Sequence, residues 1–232
     1  MKKIQERQIQ ILKHIIEEYI KTGEITGSKS LLSKHDLQVS SATVRNDMAS
    51  LEKMGLLFQP YNSAWRLPTT RGLRVFVDFL IEAMPRVFLE AEKAHEQRLE
   101  NARIDDLLYS LVARLTKITG EITFAAIPSL GTSYYLGLSN YLERHQGLLG
   151  EEMYKVIKCL ENKYEFLSLL ADLEIGGKVS AFIGEENIIP ELESSTMIVK
   201  KIEINGYEGY LGILGSTMMD YAFNITALRQ VL

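Results

Sequence analysis

The chain has 232 residues, of which 46% are apolar and 24% are charged, an ordinary globular composition that argues against a disordered or fibrous protein. No stretch approaches the run of apolar residues that a membrane span needs, and the basic N-terminus lacks the apolar segment of a signal peptide. The single cysteine, Cys159, excludes an internal disulfide and fits a reducing compartment, so we expect a cytoplasmic protein.

The net charge of −4 hides an asymmetry along the chain. Residues 1–80 carry 12 Lys and Arg against 8 Asp and Glu, whereas residues 81–232 carry 14 against 22. A basic segment joined to an acidic remainder indicates that the N-terminal third meets a polyanion. Chance alone could also produce this asymmetry in charge, so the sequence motifs are needed to decide between chance and binding to a polyanion.

The N-terminal third begins with two predicted helices. Apolar residues at helical spacing predict the first helix from about Gln5 to Lys21, and Gly23 ends it. Ser28 is suited to the N-cap of the second helix, which is short and has the sequence "KSLLSKHDL". Both helices present an apolar side to a common core.

A third helix and a hairpin complete this domain. Ser40 or Ser41 caps the helix, and Gly55 ends it as a left-handed residue. "LLFQP" and "RLPT" then predict two strands, with "YNSAW" as the turn between them. Three short helices followed by a hairpin are typical of a winged helix-turn-helix domain, which we assign to residues 1–80.

The next segment is predicted to be helical and buried. From Thr69 onwards a helix carries apolar residues on more than one face, so we expect it to be covered by another domain or by a second subunit. The candidate dimerisation residues are Leu73, Phe76, Val77 and Leu80. After Pro85, the charged helix "RVFLEAEKAHEQRLENA" and the more apolar helix "IDDLLYSLVARLTKIT" complete a helical linker and dimerisation segment, residues 81–118.

Strands and helices alternate in residues 119–232. "EITFAAIP", "SYYLGL", "KVSAFIG", "STMIVKKIEI" and "YEGYLGIL" predict five strands. A helix is expected from Gly150 to Ala171, and another from Met218 to Leu232, which together predict an α+β domain. Glycines recur every third residue from Gly206 to Gly215 without a phosphate-binding pattern, so close packing of the strand backbone is expected.

The third helix is suited to reading DNA. One side is apolar and packs on the first two helices, through Val44, Met48 and Leu51. The opposite side and its flanks carry small or hydrogen-bonding residues: Ala42, Thr43, Arg45, Asn46, Ala49 and Lys53. Small residues let a helix enter the major groove, Asn bonds adenine and Arg bonds guanine in bidentate fashion, and short hydroxyls bond phosphates or bases.

We therefore predict a DNA-binding surface on the N-terminal third. Its candidate contacts are Lys29, Ser40, Ser41, Thr43, Arg45, Asn46, Lys53, Trp65, Arg66 and Arg71. Ser41, Thr43, Arg45 and Asn46 are assigned to the major groove, and Arg66 to the wing. Lys29, Lys53 and Arg71 are assigned to phosphates. The alternative is that the serines merely cap the helix and that Arg45 is solvated.

These residues resemble the HrcA family of heat-inducible transcription repressors. The resemblance is nearly unbroken over residues 6–78, and "TGEITGSK" and "SSATVRNDM" carry most of its specificity. "YYLGLSNYLE", "FIGEEN" and "GYLGILGSTMMDYAFNITAL" resemble the family's GAF-like sensor and oligomerisation domain. The resemblance implies a homodimer that binds double-stranded DNA at an inverted-repeat operator upstream of chaperone operons. It further implies control by the chaperonin.

The chain departs from the family pattern in two places. Trp65 stands where the family's wing has glycine, and a bulky residue is strained at a hairpin tip with positive φ. Trp65 alters the shape of the wing, lies against DNA sugars, or packs on its own hairpin, and we favour the last. The family members are also longer, with the missing material between "ITFAAIP" and "SYYLGL", so a reduced C-terminal domain is expected.

We find no pattern typical of a catalytic or metal site. None of the four histidines stands in metal-ligand spacing with Cys159 or a carboxylate pair. Cys159 falls within an amphipathic segment and is expected to be packed, not reactive. We therefore predict no enzyme, no cofactor and no metal. Two other functions stay open: a ligand-sensing GAF-like regulator, and a protein-interaction module whose wing no longer engages DNA because of Trp65.

Overall fold

In the computed structural model the chain divides into two compact units, Met1–Ala83 and Met84–Leu232. The structure describes residues 6–23, 26–34, 39–60, 65–83, 104–144 and 150–231. No helix within these ranges is both long and apolar enough to cross a lipid bilayer.

The first unit contains four described helices and a small antiparallel sheet. The helices are α1 (Glu6–Thr22), α2 (Ser28–Lys34), α3 (Ser41–Lys53) and α4 (Thr70–Ala83). The strands are β1 (Thr26–Gly27), β2 (Leu57–Phe58) and β3 (Trp65–Pro68), in the order β1-β3-β2. The predicted helices and the two hairpin strands are thus confirmed, whereas β1 was not predicted and Trp65, assigned to the turn, begins β3. The rest of the predicted turn "YNSAW" and the end of the second predicted helix lie outside the described residues.

The core of the first unit forms where α1 meets α3 and α4. On α1, Ile11, Ile15 and Ile16 are fully buried. α1 ends at Gly23 (φ 67°) and α3 is followed by Gly55 (φ 71°), a left-handed conformation that favours glycine. The end of α3 is tied to the start of α4, because the Thr69 hydroxyl donates to Gly55 O at 2.7 Å and accepts from the Gly72 amide at 3.0 Å.

The apolar stripe of α4 is buried within the single chain. Its members are 0–8% exposed: Leu73, Phe76, Val77 and Leu80. α4 packs against α1 and β3 of its own unit. The expected burial is therefore present, but no second subunit is required to produce it. A dimer interface at these four residues stays a prediction. The exposed apolar surface that would have supported it is absent at these positions, because the four side chains are already buried within the chain.

The second unit is built on a five-stranded antiparallel sheet. Its strands are β4 (Ile122–Ile127), β5 (Thr132–Leu136), β6 (Ser180–Ile183), β7 (Ser195–Ile204) and β8 (Tyr207–Ser216), in the order β5-β4-β8-β7-β6. Its described helices are α5 (Ile104–Thr119), α6 (Leu138–Arg144), α7 (Gly150–Glu161), α8 (Lys163–Ala171) and α9 (Tyr221–Gln230). All five predicted strands are confirmed.

Helices cover both faces of this sheet. Phe124 belongs to a buried cluster with residues of α7 and α8, and its ring meets the ring of Phe166 edge to face at 5.1 Å. The neighbouring Thr123 points to the opposite face, where its hydroxyl donates to Val112 O of α5 at 3.1 Å. On the same side, the Tyr221 hydroxyl of α9 lies 3.1 Å from the Thr196 hydroxyl. This alternation follows the two-residue period of a strand.

Two expectations for the second unit need adjustment. The single helix expected from Gly150 to Ala171 is two helices, because Asn162 (φ −78°, ψ 66°) leaves the helical region and its amide bonds the Glu165 carboxylate. α5, which we assigned to a linker, packs on β4 and β5. The charged helix expected after Pro85 lies outside the described residues. A short turn at residues 128–131 joins β4 to β5, where the family's extra material was expected.

The glycines of β8 permit close packing, as predicted. A Cβ atom on Gly212 would overlap the Phe124 ring and lie 2.9 Å from Ile198 O, and one on Gly209 would lie 2.7 Å from Ala126 O. Gly206 has a different role. With Asn205 (φ 52°) it forms the two-residue turn between β7 and β8, where both residues have positive φ.

Gly212→Ala is expected to lower the free energy of unfolding by about 1–3 kcal/mol, because the added methyl group must displace Phe124 or the β7 backbone. Urea unfolding followed by circular dichroism measures this. Gly177→Ala is the matched control: no atom lies within 4 Å of its Cβ position, so a change within about 0.5 kcal/mol is expected. Equal stability of the two variants would contradict the packing argument.

Candidate nucleic-acid interface

The start of α3 is fixed by a side-chain cap. Ser40 has an extended backbone (φ −75°, ψ 156°), and its Oγ accepts a hydrogen bond from the Thr43 amide at 3.1 Å. The same Oγ lies 2.9 Å from the Thr43 hydroxyl. The sequence left open whether Ser40 or Ser41 caps the helix, and the structure shows that Ser40 is the N-cap.

Ser41 joins α3 to α2. Its Oγ lies 3.3 Å from the hydroxyl of Ser28, which is 2% exposed at the start of α2. Ser41 itself is half-buried. The two serines of the motif thus position α3, one by capping it and the other by bonding the preceding helix.

The inward side of α3 packs into the first unit, as predicted. Val44 and Leu51 are fully buried and Met48 is 2% exposed. The same side also buries Asp47, which is 5% exposed. Sequence analysis missed this residue, because an acidic side chain in a polar motif is ordinarily solvated.

Asp47 is held by two residues of α1. Arg7 Nε donates to Asp47 Oδ2 at 2.7 Å and Nη2 donates to Oδ1 at 3.3 Å, while Gln8 Nε2 donates to Oδ1 at 3.4 Å. The hydrogen bond to Asp47, and next its negative charge, raise the pKa of Arg7 above its ordinary value. A buried carboxylate needs such partners. Because Arg7 and Gln8 are 40 and 39 residues away from Asp47 in sequence, no local pattern indicated them.

The outward side of α3 is exposed, small and polar, as predicted. Ala42, Arg45, Asn46 and Lys53 are exposed, and Thr43 and Ala49 are half-buried. The side chains of Arg45 and Asn46 make no hydrogen bond or ion pair with another described residue. Both residues are exposed, so their donors lie at the surface of the described part of the unit.

Arg66, which we expected to contact DNA from the wing, pairs with a carboxylate of α3. Its Nε lies 2.8 Å from Glu52 Oε2 on α3, and its side chain is 12% exposed. The ion pair fastens β3 to α3. The Arg66 side chain is largely enclosed and paired with α3, which supports a positioning role, and its contact with DNA stays a prediction.

The remaining candidates are distributed around α3. Arg71 is exposed on α4, and one of its guanidinium nitrogens lies 3.8 Å from the Cβ position of Gly55, near the end of α3. The side chains of Lys29 and Trp65 lie outside what the structure describes. The Trp65 backbone is the start of β3 and pairs with Gly27. Among the described non-glycine residues only Asn205 has positive φ, so the strain expected at Trp65 is not present.

The groups with catalytic or metal-binding potential offer no second site in the described ranges. Cys159 is 6% exposed on α7, and burial, with the charges of Glu191 and Glu165, raises the pKa of its thiol to about 12. Burial and the raised pKa both favour the protonated thiol, which supports the expectation that Cys159 is packed. No three described His, Cys, Asp or Glu residues are grouped to hold a metal ion. Three of the histidines, at positions 35, 95 and 145, lie outside the described residues.

Ser40→Ala is expected to lower the free energy of unfolding by about 0.5–2 kcal/mol, because the Thr43 amide loses its acceptor. Ser33→Ala is the control, since the Ser33 hydroxyl is exposed on α2 and bonds only Ser30 O within the helix. A change within about 0.5 kcal/mol is expected there. Chemical denaturation of both variants measures the free energy of unfolding. An unchanged stability of Ser40→Ala would contradict the stabilising role of the cap.

Curated proteins named heat-inducible transcription repressor HrcA are similar in sequence to this chain. That of Bifidobacterium longum (strain NCC 2705) is 33% identical over 227 residues, which cover 97% of this chain and 60% of that protein. That of Clostridium perfringens (strain 13 / Type A) is 44% identical over 126 residues, covering 50% of this chain and 36% of that protein. The chain thus spans less than two thirds of the length of these relatives.

A solved structure has the same fold. It is described as the crystal structure of a hypothetical protein at 2.2 Å resolution, and it matches with a TM-score of 0.77 at 17% identity. The match covers 99% of this chain and 96% of the other. The model of the HrcA protein C terminal domain matches residues 70–225, from α4 into α9. Because that match spans more than half of the sequence, the chain belongs to the HrcA family.

Proposed function

We propose that the chain is a sequence-specific, DNA-binding transcriptional repressor whose first 80 residues form a winged helix-turn-helix domain. The observation that carries the proposal is the two-sided character of α3. Its inward side is anchored by Val44, Asp47 and Met48, while Ala42 and Asn46 lie on an exposed side without bulky groups. A helix held in this way presents a narrow, hydrogen-bonding surface that fits the major groove.

The groups on this surface match the chemistry of DNA. The Asn46 amide suits the N6 and N7 positions of adenine, and the Arg45 guanidinium suits the O6 and N7 positions of guanine. Lys53 and Arg71 are exposed cations for phosphates, and the positive end of the α3 dipole favours the same anions. The net positive charge of residues 1–80 adds a general attraction to the DNA backbone.

We propose further that the second unit is the GAF-like sensor and oligomerisation domain of the family. Membership of the HrcA family and its antiparallel sheet support this. A homodimer would place two α3 helices on the half-sites of an inverted repeat, about one helical turn apart. The relatives are named heat-inducible transcription repressors, which supports heat as the inducing signal. The resemblance to the family implies chaperone operons as the targets and the chaperonin as a partner.

No described feature favours ligand sensing over this proposal. A surface cleft beside α7 and α8, lined by Lys158, Cys159, Phe166 and Glu191 among others, has room for about one water molecule. Sites for small molecules are usually larger, about 300–1,000 Å³. The alternative of a protein-interaction module that lacks DNA binding gains no support either, because the outward side of α3 is exposed.

The proposal is tested by selecting duplexes for the full chain from a randomised DNA pool. Binding to the selected duplex and to a scrambled one is then measured at two salt concentrations. A specific repressor is expected to bind the selected duplex about 10³-fold more tightly or better. Binding that is equal on the two duplexes, or absent from both, would contradict the proposal.

Asn46→Ala is expected to weaken binding to the selected duplex by about 1–3 kcal/mol and to relax the base preference at one position per half-site, because the bidentate amide is lost. Gln10→Ala is the matched control, since it removes an exposed amide from α1. It is expected to leave binding unchanged. An equal loss on selected and scrambled duplexes for Asn46→Ala would show that Asn46 does not read a base.

Lys53→Gln is expected to weaken binding to both duplexes by the same factor, because a phosphate contact carries no sequence information. The slope of log affinity against log salt concentration is expected to become shallower by about 0.9 for each bound subunit. Fluorescence anisotropy over a salt series measures both quantities. A loss confined to the selected duplex would instead assign Lys53 to base recognition.

A further inference from the structure

Two arginines from other elements pair with carboxylates of α3, and they differ in exposure. Arg66 is 12% exposed and pairs with Glu52, which is 34% exposed. The Arg7 side chain is 47% exposed, although the side chain of its partner Asp47 is only 7% exposed. Arg66 is therefore enclosed beside a partly solvated carboxylate. Arg7 has the reverse arrangement, with an enclosed carboxylate on one side and solvent on the other.

The position of Asp47 on α3 places Arg7 beside the proposed DNA surface. Residues four apart lie next to each other on a helix, so Asp47 is adjacent to Thr43, a half-buried residue of the proposed surface. Asp47 thus belongs to the inward side of α3, at its boundary with the outward side. The guanidinium of Arg7, bonded to Asp47, extends that boundary towards α1.

The guanidinium has donors to spare. Arginine carries five N–H groups in a planar fork, and Arg7 uses Nε and one N–H of Nη2 on Asp47. It makes no hydrogen bond or ion pair with any other residue in the described ranges. The remaining N–H groups belong to a side chain that is half exposed and already oriented. A pre-oriented donor loses less conformational freedom when it binds a ligand.

We propose that Arg7 contacts the DNA backbone, donating its outer N–H groups to a phosphate at the edge of the groove that α3 enters. Asp47 is then a positioning residue, which holds Arg7 from the inside and is itself held by Gln8. This inference rests on the proposed DNA binding. It adds a contact from α1 to a surface otherwise formed by α3, α4 and the hairpin.

A purely structural role for Arg7 has to be separated from phosphate contact. Removing Arg7 alone leaves the Asp47 carboxylate buried without its charged partner, which destabilises the fold whatever Arg7 does on DNA. The comparison is therefore made in an Asp47→Asn background. Asparagine keeps a carbonyl oxygen for Arg7 and leaves no charge unpaired when Arg7 is also replaced.

The experiment compares D47N with R7Q/D47N in the full chain. Affinity for the selected and the scrambled duplex is measured over a potassium chloride series. We expect the salt slope of R7Q/D47N to be shallower than that of D47N by about 0.9 per bound subunit, on both duplexes alike. When the salt concentration rises four-fold, the affinity of D47N is therefore expected to fall by a factor about 3 times larger, for each bound subunit, than the affinity of R7Q/D47N.

K13Q/D47N is the matched control. Lys13 lies on the same helix and has an intrahelical partner, Glu17, at 3.8 Å, so its replacement removes the same charge from α1. Its salt slope is expected to equal that of D47N. An equal effect of Lys13 and Arg7 would overturn the proposal, since general attraction by the charge of α1 would then explain both.

The outcomes separate this inference from the proposed function. If the unaltered chain binds the selected duplex and the slopes of D47N and R7Q/D47N agree, the assignment of Arg7 is overturned while DNA binding stands. If the unaltered chain binds neither duplex, both proposals fall. Urea unfolding checks each variant. If R7Q/D47N does not fold, R7M/D47L takes its place in the comparison with D47N, because it replaces the ion pair by two apolar side chains.

Discussion

The first unit depends on one constraint, the burial of one side of α3. Val44 and Leu51 are fully buried against the rest of the unit, and each side chain of this size contributes about 1.5–3 kcal/mol when it leaves water. Apolar contacts have no direction, however, and tolerate small rotations of a helix about its axis. The Asp47 carboxylate, bonded at both oxygens by α1, removes this freedom because hydrogen bonds weaken steeply with misalignment.

The polar contacts of α3 divide the work of positioning it. Ser40 fixes where the helix begins, and Ser41 bonds the helix before it. Glu52 forms an ion pair with Arg66 of β3, which holds this strand of the hairpin against α3. Asp47 sets the rotation. The side chains left over, among them Arg45 and Asn46, are those without a described partner, and they lie on the surface that we assign to DNA.

The second unit is organised by a different constraint, a sheet covered by helices on both faces. Such a sheet buries alternate residues on opposite sides, and Phe124 and Thr123 show the two environments in adjacent positions. The Phe124 ring requires a glycine on the neighbouring strand, which Gly212 supplies. Membership of the HrcA family rests mainly on this part of the chain, whereas the proposed DNA contacts lie in the first unit.

The sequence by itself determined the local elements and the two-sidedness of α3. Periodicity, caps and glycines act over a few residues, so the three N-terminal helices, the five strands and the exposed side with Asn46 were all predictable. A single long helix was wrongly expected across Asn162, because a helix interruption without proline or glycine has a weak local signal. The packed role of Cys159 was predictable from the apolar spacing around it.

Tertiary structure alone decided which charged residues are engaged. Arg7 and Asp47 are 40 residues apart, and Arg66 meets Glu52 only because the hairpin folds back on α3. The sequence therefore presented Arg66 as a surface cation and gave no reason to consider Arg7. The sequence also did not determine what covers the apolar stripe of α4, and in the structure α1 and β3 of the same chain pack against this helix. Pairing of ions and burial of a face depend on contacts distant in sequence, and no periodicity encodes them.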